Sequence, residues 1–99
     1  MSEQPDLEAY RKSIDRIDNA LCALLAERFA VTQKVGEYKA DHDLPAVDAA
    51  REKKQFEKIN ALARQYDLDA EFAAKFLRVI IDQVVDNHRK IAMEKGRNN

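Results

Sequence analysis

Six charged or titratable side chains of this 99-residue chain fall on or beside its apolar faces. Counting from Leu7 in alternating steps of three and four gives Leu7, Tyr10, Ile14, Ile17, Leu21, Leu24, Arg28, Val31, Val35 and Tyr38. Nine of these ten can pack in a helical seam, and Arg28 interrupts them. Lys39 follows Arg28 by eleven residues, so it faces the same way ~16 Å further along a helix axis. Arg11 precedes Arg28 by seventeen, displaced by ~26 Å and about a quarter turn. Within one chain those two arginines cannot converge on a small ligand; across a two-fold axis between antiparallel copies of the helix they can. Glu52 continues the apolar face of Phe56, four residues on, and "DAARE" (Asp48 to Glu52) crowds Asp48, Arg51 and Glu52 into about one turn. The free N–H groups of that helix start are further donors. His88 lies between Val84 and Ile91 on an apolar face.

The set Arg11, Arg28, Lys39, Arg51, Glu52 and His88 does not balance: three or four cations face one glutamate. A buried charge without a partner costs several kcal/mol. The surplus asks for an anionic ligand, and the bidentate geometry of arginine suits a dicarboxylate. Each residue also has a plainer reading. Arg28 alone reads equally as a register-setting residue paired with Glu52 or Asp18. Arg11 and Arg51 singly read as surface residues with snorkelling stems, Asp48 as a helix cap, and His88 as a core histidine. Lys39 in phase with Arg28 tips the balance toward a ligand.

Three helices and no strands carry these residues. The first runs over about 6–41, starting after Pro5 with Asp6 and Glu8 at its positive end. Gly36 costs about 1 kcal/mol against Ala in a helix interior, but the apolar phase survives it. Pro45 disfavours helix at Leu44. The second helix, about 49–66, starts at an Asp48 cap, with Phe56, Ile59, Leu62, Ala63 and Tyr66 on its apolar face. The third, about 70–95, starts at Asp69 with Leu68 as an outside staple. It buries Phe72, Phe76, Leu77, Ile80, Ile81, Val84 and Ile91, and frays near Gly96. At ~1.5 Å per residue the first helix is ~52 Å long, against a radius of gyration of ~13 Å for a domain of this size. Two other helices cannot cover it, so the fold expected is an all-α, intertwined two-fold homodimer built from one domain over residues 1–99.

Composition sets the outer limits. The chain is 45% hydrophobic and 35% charged, too apolar for disorder, and two Gly and two Pro suit long helices. A net charge of −1 gives no bulk attraction to nucleic acid or a membrane surface. Cys22 is the single cysteine, so no intrachain disulfide is expected. His42 and His88 lack metal-ligand spacing, so no metal is expected, and no phosphate loop or nucleophile–base pattern is present. Without an apolar leader or a run long enough to span a bilayer, the expectation is a cytoplasmic protein. "MEKGRNN" reads as a frayed end rather than a docking tail.

The succession Arg11, Asp18, Leu24-Leu25, Glu27-Arg28, Lys39, Asp48, Arg51-Glu52 and an amphipathic third helix resembles the all-helical (AroQ-type) chorismate mutases, over about Leu7 to Ile91. The resemblance implies three-helix chains intertwined as dimers, two identical sites, and the Claisen rearrangement of chorismate to prephenate on the way to phenylalanine and tyrosine, without a cofactor. It implies that Arg28, with Arg11 from the other chain, binds the substrate carboxylates. Lys39 donates to the ether oxygen, Glu52 and the Asp48 backbone hold the ring hydroxyl, and Arg51 supports a carboxylate. Val84 stands where the family often has Ser, which removes one polar contact. His88 stands where a Gln or a protonated Glu usually sits; it can donate in place of either. The alternatives are an isochorismate-pyruvate lyase on the same fold, which matches "DAARE" poorly, and a non-catalytic helical dimerisation module, which would not keep cations on apolar faces.

Overall fold

A computed structural model describes residues 6–97 of the chain and contains there three α-helices and no strand. Helix α1 runs Leu7–Asp41, α2 Ala49–Gln65 and α3 Ala70–Arg97. Residues 1–5 and 98–99 lie outside the described residues, and with them Pro5 and the asparagines of the C-terminal tail.

One aspartate opens each helix. The carboxylates of Asp6, Asp48 and Asp69 accept from the backbone N–H groups of Ala9 (2.8 Å), Arg51 (3.0 Å) and Phe72 (2.9 Å). Each satisfies one of the donors a helix start leaves unpaired. Asp6 is therefore a full cap and not only a favourable charge. Two aspartates also follow the ends of α1 and α2. Asp43 (φ 53°) and Asp67 (φ 55°) take the left-handed conformation usually left to glycine. The N–H of Leu44 reaches back to the Lys39 carbonyl, and that of Leu68 to the Ala63 carbonyl, both at 2.8 Å. Helix α1 thus stops at Asp41, ahead of Pro45. Helix α3 does not fray at Gly96 but continues through it to Arg97.

The chain divides into two compact units, residues 1–31 and 32–99, with the division inside α1. The described part of the first unit is helix apart from Asp6. Its apolar line, Leu7, Tyr10, Ile14, Ile17, Leu21, Leu24 and Val31, stands between 43% and 64% exposed. Helices in proteins owe most of their stability to packing such a face, and this one is uncovered.

In the second unit α2 packs on α3. The core is Ala63 of α2 with Ala73, Leu77, Ile80, Ile81, His88 and Ile91 of α3. Gly36 is the buried residue of α1. A Cβ added there would lie 2.6 Å from His88 Cδ2 and 2.8 Å from Ile91 Cδ1, so no larger residue fits without displacing them. That close approach is the reason for a glycine inside a helix. Three aromatics depart from the sequence reading. Tyr66 caps α2 beyond its last helical residue and is 72% exposed. Phe72 and Phe76 stack on each other at 6.0 Å and stay open, because the buried stripe of α3 runs one residue away, through Ala73 and Leu77. Val35 and Tyr38 prolong the exposed apolar line. Among the described residues no helix is long and apolar enough to cross a membrane.

Candidate active site

His88 is the buried polar residue of the second unit, 4% exposed. Its Nε2 lies 2.8 Å from the backbone oxygen of Thr32. A carbonyl only accepts, so Nε2 carries the proton. Nδ1 is buried and has no hydrogen-bond partner. Gly36, one turn beyond Thr32, admits the ring. The residue therefore has both characters that the sequence offers it: one nitrogen satisfied as in a core histidine, the other unused. Val84, one turn before it on α3, is half-buried and apolar.

Lys39, in the last turn of α1, is half-buried, and its Nζ donates to the Ala46 carbonyl at 3.2 Å. With its own carbonyl bound to Leu44, it ties the loop before α2 back to α1. That loop delivers Asp48, whose carboxylate is spent on capping α2, while the side chains of Asp48 and Arg51 stay exposed. Glu52 follows on the inner side of α2, its side chain 19% exposed, and pairs with Arg78 of α3 at 3.3 Å.

Arg78 is the participant that the sequence reading missed. It lies over the Phe56 ring at 4.7 Å and also reaches Asp82 at 3.4 Å. Its spacing to Asp82 is the common i,i+4 pairing of a helix surface, and only the packing of α2 on α3 reveals the bond to Glu52. The partner of Glu52 is therefore Arg78, where the plainer sequence reading offers Arg28. Beside it an open groove of about 340 Å³ is lined by Val47, Glu52, Arg78, Asp82, Val85 and Arg89. Among the described residues no group of three or more His, Cys, Asp or Glu is arranged to hold a metal ion.

In the first unit Arg28 is half-buried, and its Nη1 is buried without a hydrogen-bond partner. Arg11 is exposed on the same helix, seventeen residues away. At ~26 Å along the axis the two do not meet in one copy of this unit.

Residues 10–89 match the family model of chorismate mutase type II. The chain is 33% identical over 76 residues to the chorismate mutase of Methanocaldococcus jannaschii, covering 77% of each chain. It is 33% identical over 85 residues to the bifunctional chorismate mutase/prephenate dehydratase of Escherichia coli, matching 86% of this chain and 22% of that protein. With the bifunctional protein of the same name from Buchnera aphidicola it shares 30% over 91 residues, 92% of this chain and 24% of the relative. The chain thus spans about a quarter of the bifunctional relatives or less, and most of the monofunctional one. The matched segment takes in every residue discussed above from Arg11 to His88, and on that match the chain belongs to the type II chorismate mutases.

Proposed function

We propose that the chain converts chorismate to prephenate, in two sites of a two-fold homodimer, each completed by Arg11 of the partner subunit. The observation that carries this reading is the unpartnered Nη1 of Arg28, a buried cationic donor with nothing of the protein to bind. Burying such a donor unsatisfied costs ~1–3 kcal/mol, which a ligand carboxylate returns. The dimer is supported by the open apolar line of α1 in the first unit and, separately, by the exposed Phe72 and Phe76 of the second.

The rearrangement is unimolecular. A carbon–oxygen bond breaks at the ether, a carbon–carbon bond forms between the enolpyruvyl arm and the ring, and no proton, electron or leaving group is exchanged. Two tasks remain for the protein. One is to hold the arm over the ring in a near-attack conformer. Arg28 and the partner's Arg11 do so through the two carboxylates, with Arg51 in support. Glu52 and the Asp48 backbone hold the ring hydroxyl, and Arg78 fixes the Glu52 carboxylate from behind. The other task is to stabilise negative charge growing on the ether oxygen. Lys39 and His88 are the donors for that. Val84 offers no polar contact to the substrate, which lowers affinity rather than chemistry.

The test is product analysis with two substrates. Chorismate is expected to be consumed, followed by its ultraviolet absorbance, with prephenate as product; isochorismate is expected to yield no salicylate. Salicylate from isochorismate, with chorismate untouched, would make the chain a lyase and overturn the proposal.

A further inference from the structure

The contact between His88 and α1 has a chemical consequence for the ether-oxygen donor. We propose that α1 fixes the tautomer of His88, so that this residue donates to its ligand only as an imidazolium, through Nδ1. This rests on the mutase reading above, in which His88 stands beside the ether oxygen.

Three observations support it. Nε2 is 2.8 Å from the Thr32 carbonyl, and that bond requires its hydrogen. Gly36 lets the ring come close: a Cβ there would sit 2.6 Å from Cδ2 and 3.1 Å from Nε2, so the ring edge bearing Nε2 lies where only a glycine of α1 admits it. Nδ1 is left buried and unpartnered on a side chain 4% exposed. In the neutral ring Nδ1 is then a bare lone pair, which repels an ether oxygen gaining negative charge. Only a second proton makes it a donor. A carboxamide at this position would donate at any pH. Thr32 and Gly36 are thus positioning residues: they touch no reacting atom and act through His88.

On α1, Arg28 lies one turn before Thr32 and shares its face by helical spacing. On α1, Lys39 lies about one turn beyond Gly36 and shares its face by helical spacing. On α3, Lys95 lies two turns beyond His88 and is paired with Asp41. On α2, Glu52 is held by Arg78.

The experiment has two arms, both on the full chain. In the first, two-bond proton–nitrogen correlation spectra of the substrate-free protein are recorded at pH 9. The expected result is a protonated Nε2 and a bare Nδ1 for His88, and loss of this single-tautomer signature in Gly36→Ala. Alanine is the better helix former, so helix content is retained in that variant. A protonated Nδ1, or an averaged mixture of tautomers in the unmodified chain, overturns the proposal. In the second arm, kcat for chorismate is followed from pH 5 to 9. It is expected to fall by about 10²-fold, the loss of one donor to a developing oxyanion, while His88→Gln stays flat. A flat profile for both proteins overturns the imidazolium. No turnover at any pH, with the single tautomer intact, overturns the mutase reading and leaves the tautomer assignment standing.

Discussion

Replacing Lys39 by alanine is expected to lower kcat by about 10²–10³-fold, as the loss of a single oxyanion donor does. In the proposed site this lysine brings a full charge to the ether oxygen, and the charge it would meet exists mainly in the transition state. The loss should therefore fall on kcat more than on KM. Lys39 has a second task, since Nζ holds the Ala46 carbonyl and through it the loop before α2. Lys39→Gln separates the two: a carboxamide can keep the loop contact but brings no cation, so its kcat should stay near that of the alanine variant. Asp48→Ala is the contrasting case. Its carboxylate caps α2, and the cost is about 1 kcal/mol of stability. The backbone proposed to hold the ring hydroxyl remains, so the rate should change little. Steady-state kinetics of the three variants decide the matter. Comparable small losses for Lys39→Ala and Asp48→Ala would remove Lys39 from the chemistry.

Arg28→Leu is expected to separate activity from stability. The substitution removes the proposed clamp on a substrate carboxylate, and kcat/KM should fall by about 10²–10³-fold, the cost of losing one charge-assisted partner in a desolvated site. The same substitution removes the unpartnered buried Nη1 and completes the apolar line between Leu24 and Val31. Stability should rise by about 1–3 kcal/mol. Thermal unfolding at one fixed protein concentration is the measurement, because a dimer's midpoint depends on concentration. Loss of both activity and stability would make Arg28 a structural residue with a protein partner.

Much of this was legible in the sequence, for identifiable reasons. A cation on a heptad line stands out because every neighbour in phase is apolar. Asp48 and Asp69 announce helix starts because a carboxylate before an apolar periodic run has one common use. What stayed hidden depends on the packing of one helix against another. Gly36 reads as a weak point until His88 and Ile91 are seen against it. Arg78 reads as a surface residue until α2 brings Glu52 to it. Phe72 and Phe76 read as core because they are large and apolar, yet Ala73 and Leu77 take the buried stripe. The left-handed Asp43 and Asp67 escape notice because glycine is the usual residue there.

The central claim is that each site takes Arg28 from one chain and Arg11 from the other. It is tested most directly by mixing. Arg11→Ala and Arg28→Ala chains are each expected to be nearly inactive alone. Unfolded together in equal amounts and refolded, about half of the dimers are mixed, and each mixed dimer has one site with both arginines and one with neither. The account predicts recovery of about a quarter of the wild-type activity. Activity that stays at the level of the two separate variants, with mixed dimers verified by mass, would contradict it.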